Sequence, residues 1–377
     1  MRLFCIIFFA LLTSVQAFAQ QSPGAPVLAA TSWMLVDHNT GQALVTHDPG
    51  LRIEPASLTK LMTAYVTFGA LKAGEIKPDQ QVSVSEKAWK MEGSRMFVEP
   101  GRPVTVDELI HGMIIQSGND ACVALAEQIA GSEEAFTVLM NNEAKRLGMN
   151  NTHFANASGL PDESLYTTAH DLALLASAII HDFPEYYSIY SQKEYTYNSI
   201  RQPNRNTLLN MDASVDGMKT GHTKAAGYCL ISSALRGPRR LIAVVLGAPS
   251  EKVRAQESLK LLNYGFQFFD TVKLYSGNEE VSHFEVWKGE QNQVSVGFLR
   301  DFVLSLPKGS ASKIKATLTS VQPLTAPVSQ GQPVGTLALT LGDEKIGEYP
   351  VVALQDINAA GFFGRNWDAF VMWIKGL

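Results

Sequence analysis

Glu54-Pro55-Ala56-Ser57-Leu58-Thr59-Lys60-Leu61-Met62-Thr63 is the stretch on which the reading of this chain turns. Proline suits a first helical turn, because its ring presets φ and its missing N–H would be unpaired there anyway. Leu61, Met62, Tyr65 and Val66 then continue an apolar helix. At i and i+3, Ser57 and Lys60 share one face of that helix, so the lysine amine can reach the serine hydroxyl. The same spacing recurs at Ser305/Lys308, Ser310/Lys313 and Ser312/Lys315, but the first pair encloses Pro307. All three recurrences fall in a strand-patterned region, so only Ser57 and Lys60 have an apolar helix behind them.

Around this stretch, Ser32 to Val36 and Gln42 to Val45 read as a strand pair turning through Asn39-Thr40-Gly41. Thr105 with Glu108 makes a capping box for a helix carrying Leu109, Ile110, Met113 and Ile114. A second box, Thr168 with Asp171, precedes Leu172, Leu175 and Ile179, which makes Asp171 a cap rather than a catalyst. Gly227 to Ser232 and Leu241 to Gly247 are apolar runs of strand length, and Glu251 to Phe269 returns to helical period. Residues 27–270 are therefore expected to form a mixed α/β domain of catalytic size. From 272 the period becomes two, as in Val294, Val296 and Phe298 or Leu337, Leu339 and Leu341, which predicts a smaller all-β domain over 272–356. Over 357–377, a helical wheel puts Phe363, Trp367, Phe370, Val371, Ile374 and Leu377 on one face and Arg365, Asp368 and Lys375 opposite. That pattern predicts an amphipathic helix lying in a membrane surface, its charges in water.

Residues 1–19 carry Arg2, an apolar run from Leu3 to Leu12 and the small-x-small Ala17-Phe18-Ala19, the three parts of a secretory signal. Cys5 would leave with it, and two remaining cysteines, Cys122 and Cys229, are too few for a disulfide scaffold. Their spacing does not say whether they pair, and small buried residues is the simpler reading. The chain is 46% hydrophobic and 18% charged over 377 residues, which excludes a disordered tail protein and a multi-span membrane protein. A net charge of -5 without a basic run argues against a nucleic-acid partner. No Cys-x-x-Cys or His-Glu-x-x-His occurs and the eight histidines are scattered, so no metal site is signalled.

Two further triplets complete the chemistry. Ser117-Gly118-Asn119 follows the Thr105 helix, and its repeat at Ser276-Gly277-Asn278 reads as a turn between domains. Lys219-Thr220-Gly221 occurs once, ahead of a strand, offering a cation and a hydroxyl to a carboxylate and a glycine where a substrate backbone can approach the strand edge.

Ser-x-x-Lys, Ser-x-Asn and Lys-Thr-Gly in this order, on helix, loop and strand, resemble the active-site serine penicillin-binding proteins. The longer matches Glu54 to Thr63, Ser117-Gly118-Asn119-Asp120-Ala121-Cys122 and Asp216-Gly217-Met218-Lys219-Thr220-Gly221-His222-Thr223 resemble the low-molecular-mass D-alanyl-D-alanine carboxypeptidases, penicillin-binding protein five/six type. The resemblance implies a serine β-lactamase/transpeptidase-like α/β domain, a C-terminal all-β domain and an amphipathic anchor, peripherally attached to the periplasmic side of the inner membrane. It implies action on peptidoglycan pentapeptide stems, covalent binding of β-lactam antibiotics, and no cofactor. Laid onto matching positions, it makes Ser57 the nucleophile, Lys60 the general base and Ser117 a proton relay. Asn119 would orient the substrate amide, while Lys219 and Thr220 of the Lys219-Thr220-Gly221 triplet, with Arg205, would hold the free carboxylate. The backbone N–H groups of Ser57 and His222 would form the oxyanion hole, and Arg254 is a further carboxylate candidate. A class A β-lactamase would need a Glu-x-x-Leu-Asn element, which this sequence lacks. A D,D-endopeptidase of the superfamily usually lacks the β domain and anchor, and a non-catalytic peptidoglycan-binding protein is disfavoured by three intact motifs.

Overall fold

A computed structural model describes residues 24–376; the signal expected over 1–19 and Leu377 lie outside the described residues. The first domain is organised on a five-stranded antiparallel sheet built from β1 (Ser32–Asp37), β2 (Ala43–His47), β3 (Val215–Thr223), β4 (Gly227–Arg236) and β5 (Arg239–Ala248), in spatial order β2-β1-β5-β4-β3. Helices cover both faces, which is why its central strands read as unbroken apolar runs rather than as alternation. Met34, Val36, Ile242 and Val244 face the larger core, while Trp33, Leu35, Leu241 and Val245 face the smaller one. The larger core takes α1 (Lys60–Lys72), α2 (Val106–His111), α3 (Asn119–Ala130), α4 (Glu133–Arg146) and α5 (Ala169–Asp182). The smaller takes Leu261 and Leu262 of α6 (Glu251–Phe268).

Local chemistry sets the helix starts. Thr105 Oγ1 accepts from Glu108 N while the Glu108 carboxylate accepts from Thr105 N, the reciprocal box expected there. At α5 only half of the expected box forms. Thr168 caps the helix, but the Asp171 carboxylate turns away to accept from Asn151 N and Thr152 Oγ1, tying a loop to the helix. The helix opened by Pro55 begins as a 3-10 turn over Ala56–Thr59 before relaxing into α1.

The β domain leaves α6 without a linker. It comprises β6 (Phe269–Tyr275), β7 (Glu280–Glu285), β8 (Gln293–Gly297), β9 (Phe302–Pro307), β10 (Ile314–Ser320), β11 (Pro333–Leu341) and β12 (Glu344–Ala353). Its main sheet runs β7-β8-β12-β11-β10, with β6 and β9 paired separately around a core of Val294, Val296, Leu304, Leu337 and Leu339. Ser276-Gly277-Asn278 turns between β6 and β7, so it lies inside the β domain rather than between domains.

The terminal helix α7 (Phe362–Lys375) forms with the expected wheel and with Arg365 and Lys375 exposed as expected, but Asp368 departs from the expected solvent position. Phe363, Trp367, Phe370 and Ile374 are exposed, while Met372 is buried and the Asp368 carboxylate turns inward onto Lys288 N. The reason is that the half-buried turn at Lys288 offers that carboxylate an amide donor. No helix among the described residues is long and apolar enough to cross a membrane.

Gly159 is the tightest approach behind α1. Its φ is +83°, and an added Cβ would sit 1.8 Å from the Ala56 carbonyl oxygen. Gly131 shares the left-handed backbone at φ +79° with nothing within 4 Å of that position. Gly131→Ala is expected to cost about 1–2 kcal/mol for conformation alone, and Gly159→Ala to add roughly 1–3 kcal/mol of overpacking. Urea unfolding of the two variants checks this; equal losses would mean the Ala56 contact carries no weight.

Candidate active site

The 3-10 geometry decides how Ser57 meets Lys60, since side chains at i and i+3 eclipse when there are three residues per turn. Lys60 Nζ lies 3.1 Å from Ser57 Oγ, and it donates to Asn119 Oδ1 at 2.7 Å and to the Ser158 carbonyl at 2.6 Å. Lys60 is buried, 1% exposed, whereas Ser57 opens to the cleft. Burial pushes the Lys60 amine below the ordinary lysine range, against the nearby Cys122 and Asp120 that favour its charge. Of the three oxygens around the amine, Ser57 Oγ is the farthest and the only one that faces the cleft.

Ser117 sits where a single π-turn, Gly112–Gln116, ends α2 in a left-handed residue with φ 68°. Its Oγ accepts from Lys219 Nζ at 2.8 Å, and Lys219 also donates to the Thr220 carbonyl at 3.1 Å. Lys219 is pushed well below the ordinary lysine range, first by burial and then by the charges of Lys60, Arg254 and Arg205. Asn119 starts α3 with both ends of its amide engaged, the oxygen on Lys60 and the nitrogen donating to Glu92 O at 2.6 Å. It therefore stands behind the lysine rather than on the cleft wall.

β3 is an edge strand, so Lys219, Thr220, Gly221 and His222 run along a free sheet edge beside Ser57. A Cβ on Gly221 would meet the Pro55 carbonyl at 3.0 Å and Leu58 N at 3.3 Å. A close approach at this glycine is thus made by the serine turn. The cleft measures about 230 Å³ and is lined by Ser57, Ser117, Thr220, Gly221 and His222 with Arg205, Arg254 and Glu251 at one end. Arg205 is exposed; Arg254 is buried, pairs with Glu251 Oε1 at 3.0 Å and reaches the Arg205 and Gly221 carbonyls at 3.4 and 3.5 Å. Arg254 thereby links the Arg205 loop to the edge strand.

A D-alanyl-D-alanine carboxypeptidase family profile matches residues 19–250, and a penicillin-binding protein 5 C-terminal domain profile matches residues 269–359. The chain belongs to the D-alanyl-D-alanine carboxypeptidase family. It is 45% identical over 373 residues to D-alanyl-D-alanine carboxypeptidase DacC of Escherichia coli, covering 97% of this chain and 93% of that protein. The structure of penicillin binding protein 5 from Haemophilus influenzae superposes with a TM-score of 0.85 at 41% identity, covering 88% of this chain and 98% of that one. Penicillin-binding protein D2 of Listeria monocytogenes, solved in an ampicillin-bound form, matches at 32% identity and TM-score 0.60 over 65% of this chain and 100% of that one.

This carboxypeptidase fold brings together Ser57, Lys60, Ser117, Asn119 and the Lys219 triplet, with the exposed Arg205 in the cleft lining. Among the described residues, Cys122 and Cys229 are free and buried, with burial pushing each thiol up to about 11. Sequence reasoning missed the Ser158 carbonyl, Ser94 on the cleft wall, Glu251, and above all Asp120. The Asp120 carboxylate accepts from Met96 N at 2.9 Å, Phe97 N at 2.8 Å and Val98 N at 3.2 Å. It thus fixes the segment whose Glu92 and Ser94 carbonyls grip Asn119. An acidic residue one step into α3, beside Asn119, was the available signal. Asp120→Ala strands those amides, so a loss of about 3 kcal/mol or more is expected, together with slower acylation by a fluorescent penicillin. Unfolding and labelling measured on one preparation check both, and a variant with wild-type acylation would detach Asp120 from the site.

Proposed function

We propose that the protein is an exported serine D,D-carboxypeptidase in which Ser57 attacks the carbonyl between the two terminal D-alanines of a peptidoglycan stem. The observation that carries this reading is the contact at 3.1 Å between the buried Lys60 amine and Ser57 Oγ. Lys60 takes the Ser57 proton as the Oγ–carbon bond forms, and the C–N bond breaks once the leaving amine is protonated through Lys60 and Ser117. D-Alanine departs. Water then attacks the ester, giving its proton to Lys60, and the ester C–O bond breaks to restore the Ser57 hydroxyl. Ser57 N–H and His222 N–H serve as the oxyanion donors. Lys219, Thr220 and Arg205 hold the free carboxylate, which makes the enzyme an exopeptidase. A β-lactam acylates the same serine.

The reading includes a site at the outer surface of the inner membrane, with α7 lying in the headgroup region. Six exposed large side chains, Phe362, Phe363, Trp367, Phe370, Trp373 and Ile374, support it.

Ser57→Ala is expected to abolish D-alanine release and penicillin labelling together, with intact-mass spectra showing no adduct. Label on another serine would end the reading. Lys60→Arg, which keeps a cation but loses the base, is expected to slow acylation about 10²- to 10⁴-fold. In the unmodified enzyme, acylation must rise with pH as Lys60 deprotonates. Because burial places that titration below the ordinary lysine value, the rise belongs below the range of a solvated amine. A rate still climbing only where free lysine titrates would transfer the base role elsewhere.

Arg205→Ala is expected to cost roughly 1.5–3 kcal/mol in kcat/KM on a D-Ala-D-Ala peptide with a free carboxylate. On the C-terminal amide it should cost far less. Equal losses on the two substrates would remove Arg205 from the carboxylate site.

A further inference from the structure

A helix of 14 residues is marginal in water on its own, and α7 carries Gly364 within it. Something must hold it before lipid does. The turn at Trp287-Lys288-Gly289 supplies the contacts. Lys288 has φ 60°, and its N–H donates to Asp368 Oδ2 at 2.6 Å, a charge-assisted bond. On the near side of Gly361 the same turn grips the chain again, with Ala360 N donating to Lys288 O at 2.8 Å and Glu290 N to Asn358 O at 2.9 Å. Two turns beyond Asp368, the Lys375 ammonium lies 4.8 Å from the Trp287 ring centroid. Met372, 8% exposed, fills the same face.

Contacts at the start, middle and end of the helix fix both its axis and its roll. The only acid of α7, Asp368, is turned inward, and the opposite ridge presents Trp367, Phe370, Trp373 and Ile374 to solvent. Trp and Phe without an acidic neighbour suit a lipid headgroup layer. Building on the membrane reading above, we propose that the 287–290 turn clasps the charged face of α7. The helix is then folded and aimed before it meets a lipid surface, and the β domain docks in one orientation instead of swinging on a tether.

Amide exchange of the lipid-free, full-length mature protein tests the clasp, with Asp368→Ala and Asp368→Lys as variants and penicillin acylation confirming an intact catalytic domain. The expected result is a protected Lys288 amide and protected α7 in the unmodified protein. Exchange at Lys288 and across α7 should quicken roughly tenfold or more in both variants, the loss of about one charge-assisted bond. Flotation with phosphatidylethanolamine/phosphatidylglycerol vesicles should persist in the variants, because the apolar ridge is untouched. Distances from a dye on the catalytic domain to the vesicle surface should be narrow for the unmodified protein and broad for Asp368→Ala. Free exchange of α7 in the unmodified protein, or unchanged Lys288 exchange in both variants, overturns the clasp while flotation upholds the membrane reading. Protected α7 with no flotation overturns the lipid surface as occupant, as does concentration-dependent dimerisation abolished by Trp367→Ser.

Discussion

An amine that has left water must find partners for the form it keeps, and the catalytic domain is arranged around that demand at Lys60. Burial there disfavours the charged form, so the hydrogen bonds of the amine have to come from the fold. Three separate pieces of chain meet it: the serine turn, the start of α3 through Asn119, and the loop carrying the Ser158 carbonyl. Each is pinned from behind. Asn156 Oδ1 accepts from Ser158 N and Gly159 N at 3.2 and 2.7 Å, and Asn119 N donates to Ser94 O at 2.7 Å. Loss of any of these supports would tilt an acceptor away from the lysine before it altered the nucleophile.

The sheet solves a different problem, bringing a third polar element close without disturbing the first two. Only an edge strand leaves backbone N–H groups free for a ligand, and β3 is the edge nearest the serine turn. Gly221 removes the side chain that would hold this strand away from Pro55 and Leu58. Thr223 Oγ1 then donates to Glu54 Oε2 at 2.9 Å, fastening strand and turn one step beyond the cleft. The edge strand and the serine turn are thereby held in register.

What the sequence made legible were the short-range devices. An i, i+3 pair, the Thr105 capping box and a run of apolar residues each need only a few neighbouring positions, and they appeared as read. The clustering of motifs separated by 57 and 102 positions, from Lys60 to Ser117 and from Ser117 to Lys219, came from resemblance rather than from spacing. Backbone acceptors such as Ser158 O left no trace, because a carbonyl is present at every residue and only the fold decides which one points inward. Asp171 and Asp368 were misjudged for one reason. A carboxylate at a good local position is drawn to whichever backbone amide the tertiary structure leaves without an acceptor, and periodicity carries no information about that amide.

Charge balance connects the cleft to its proposed substrate. The partners of Lys60 and Lys219 are hydroxyls, an amide and backbone carbonyls, none of them an anion. Arg205 and the buried Arg254 add positive charge to the cleft lining, and Glu251, half exposed and paired with Arg254, offsets part of it. Two buried amines near one another cannot both stay protonated cheaply, since each disfavours the charge of the other. On the proposed reading, a free carboxylate beside Thr220 would supply the anion that these groups lack, and it would favour the charged form of Lys219 over the neutral form that burial and Lys60 favour now.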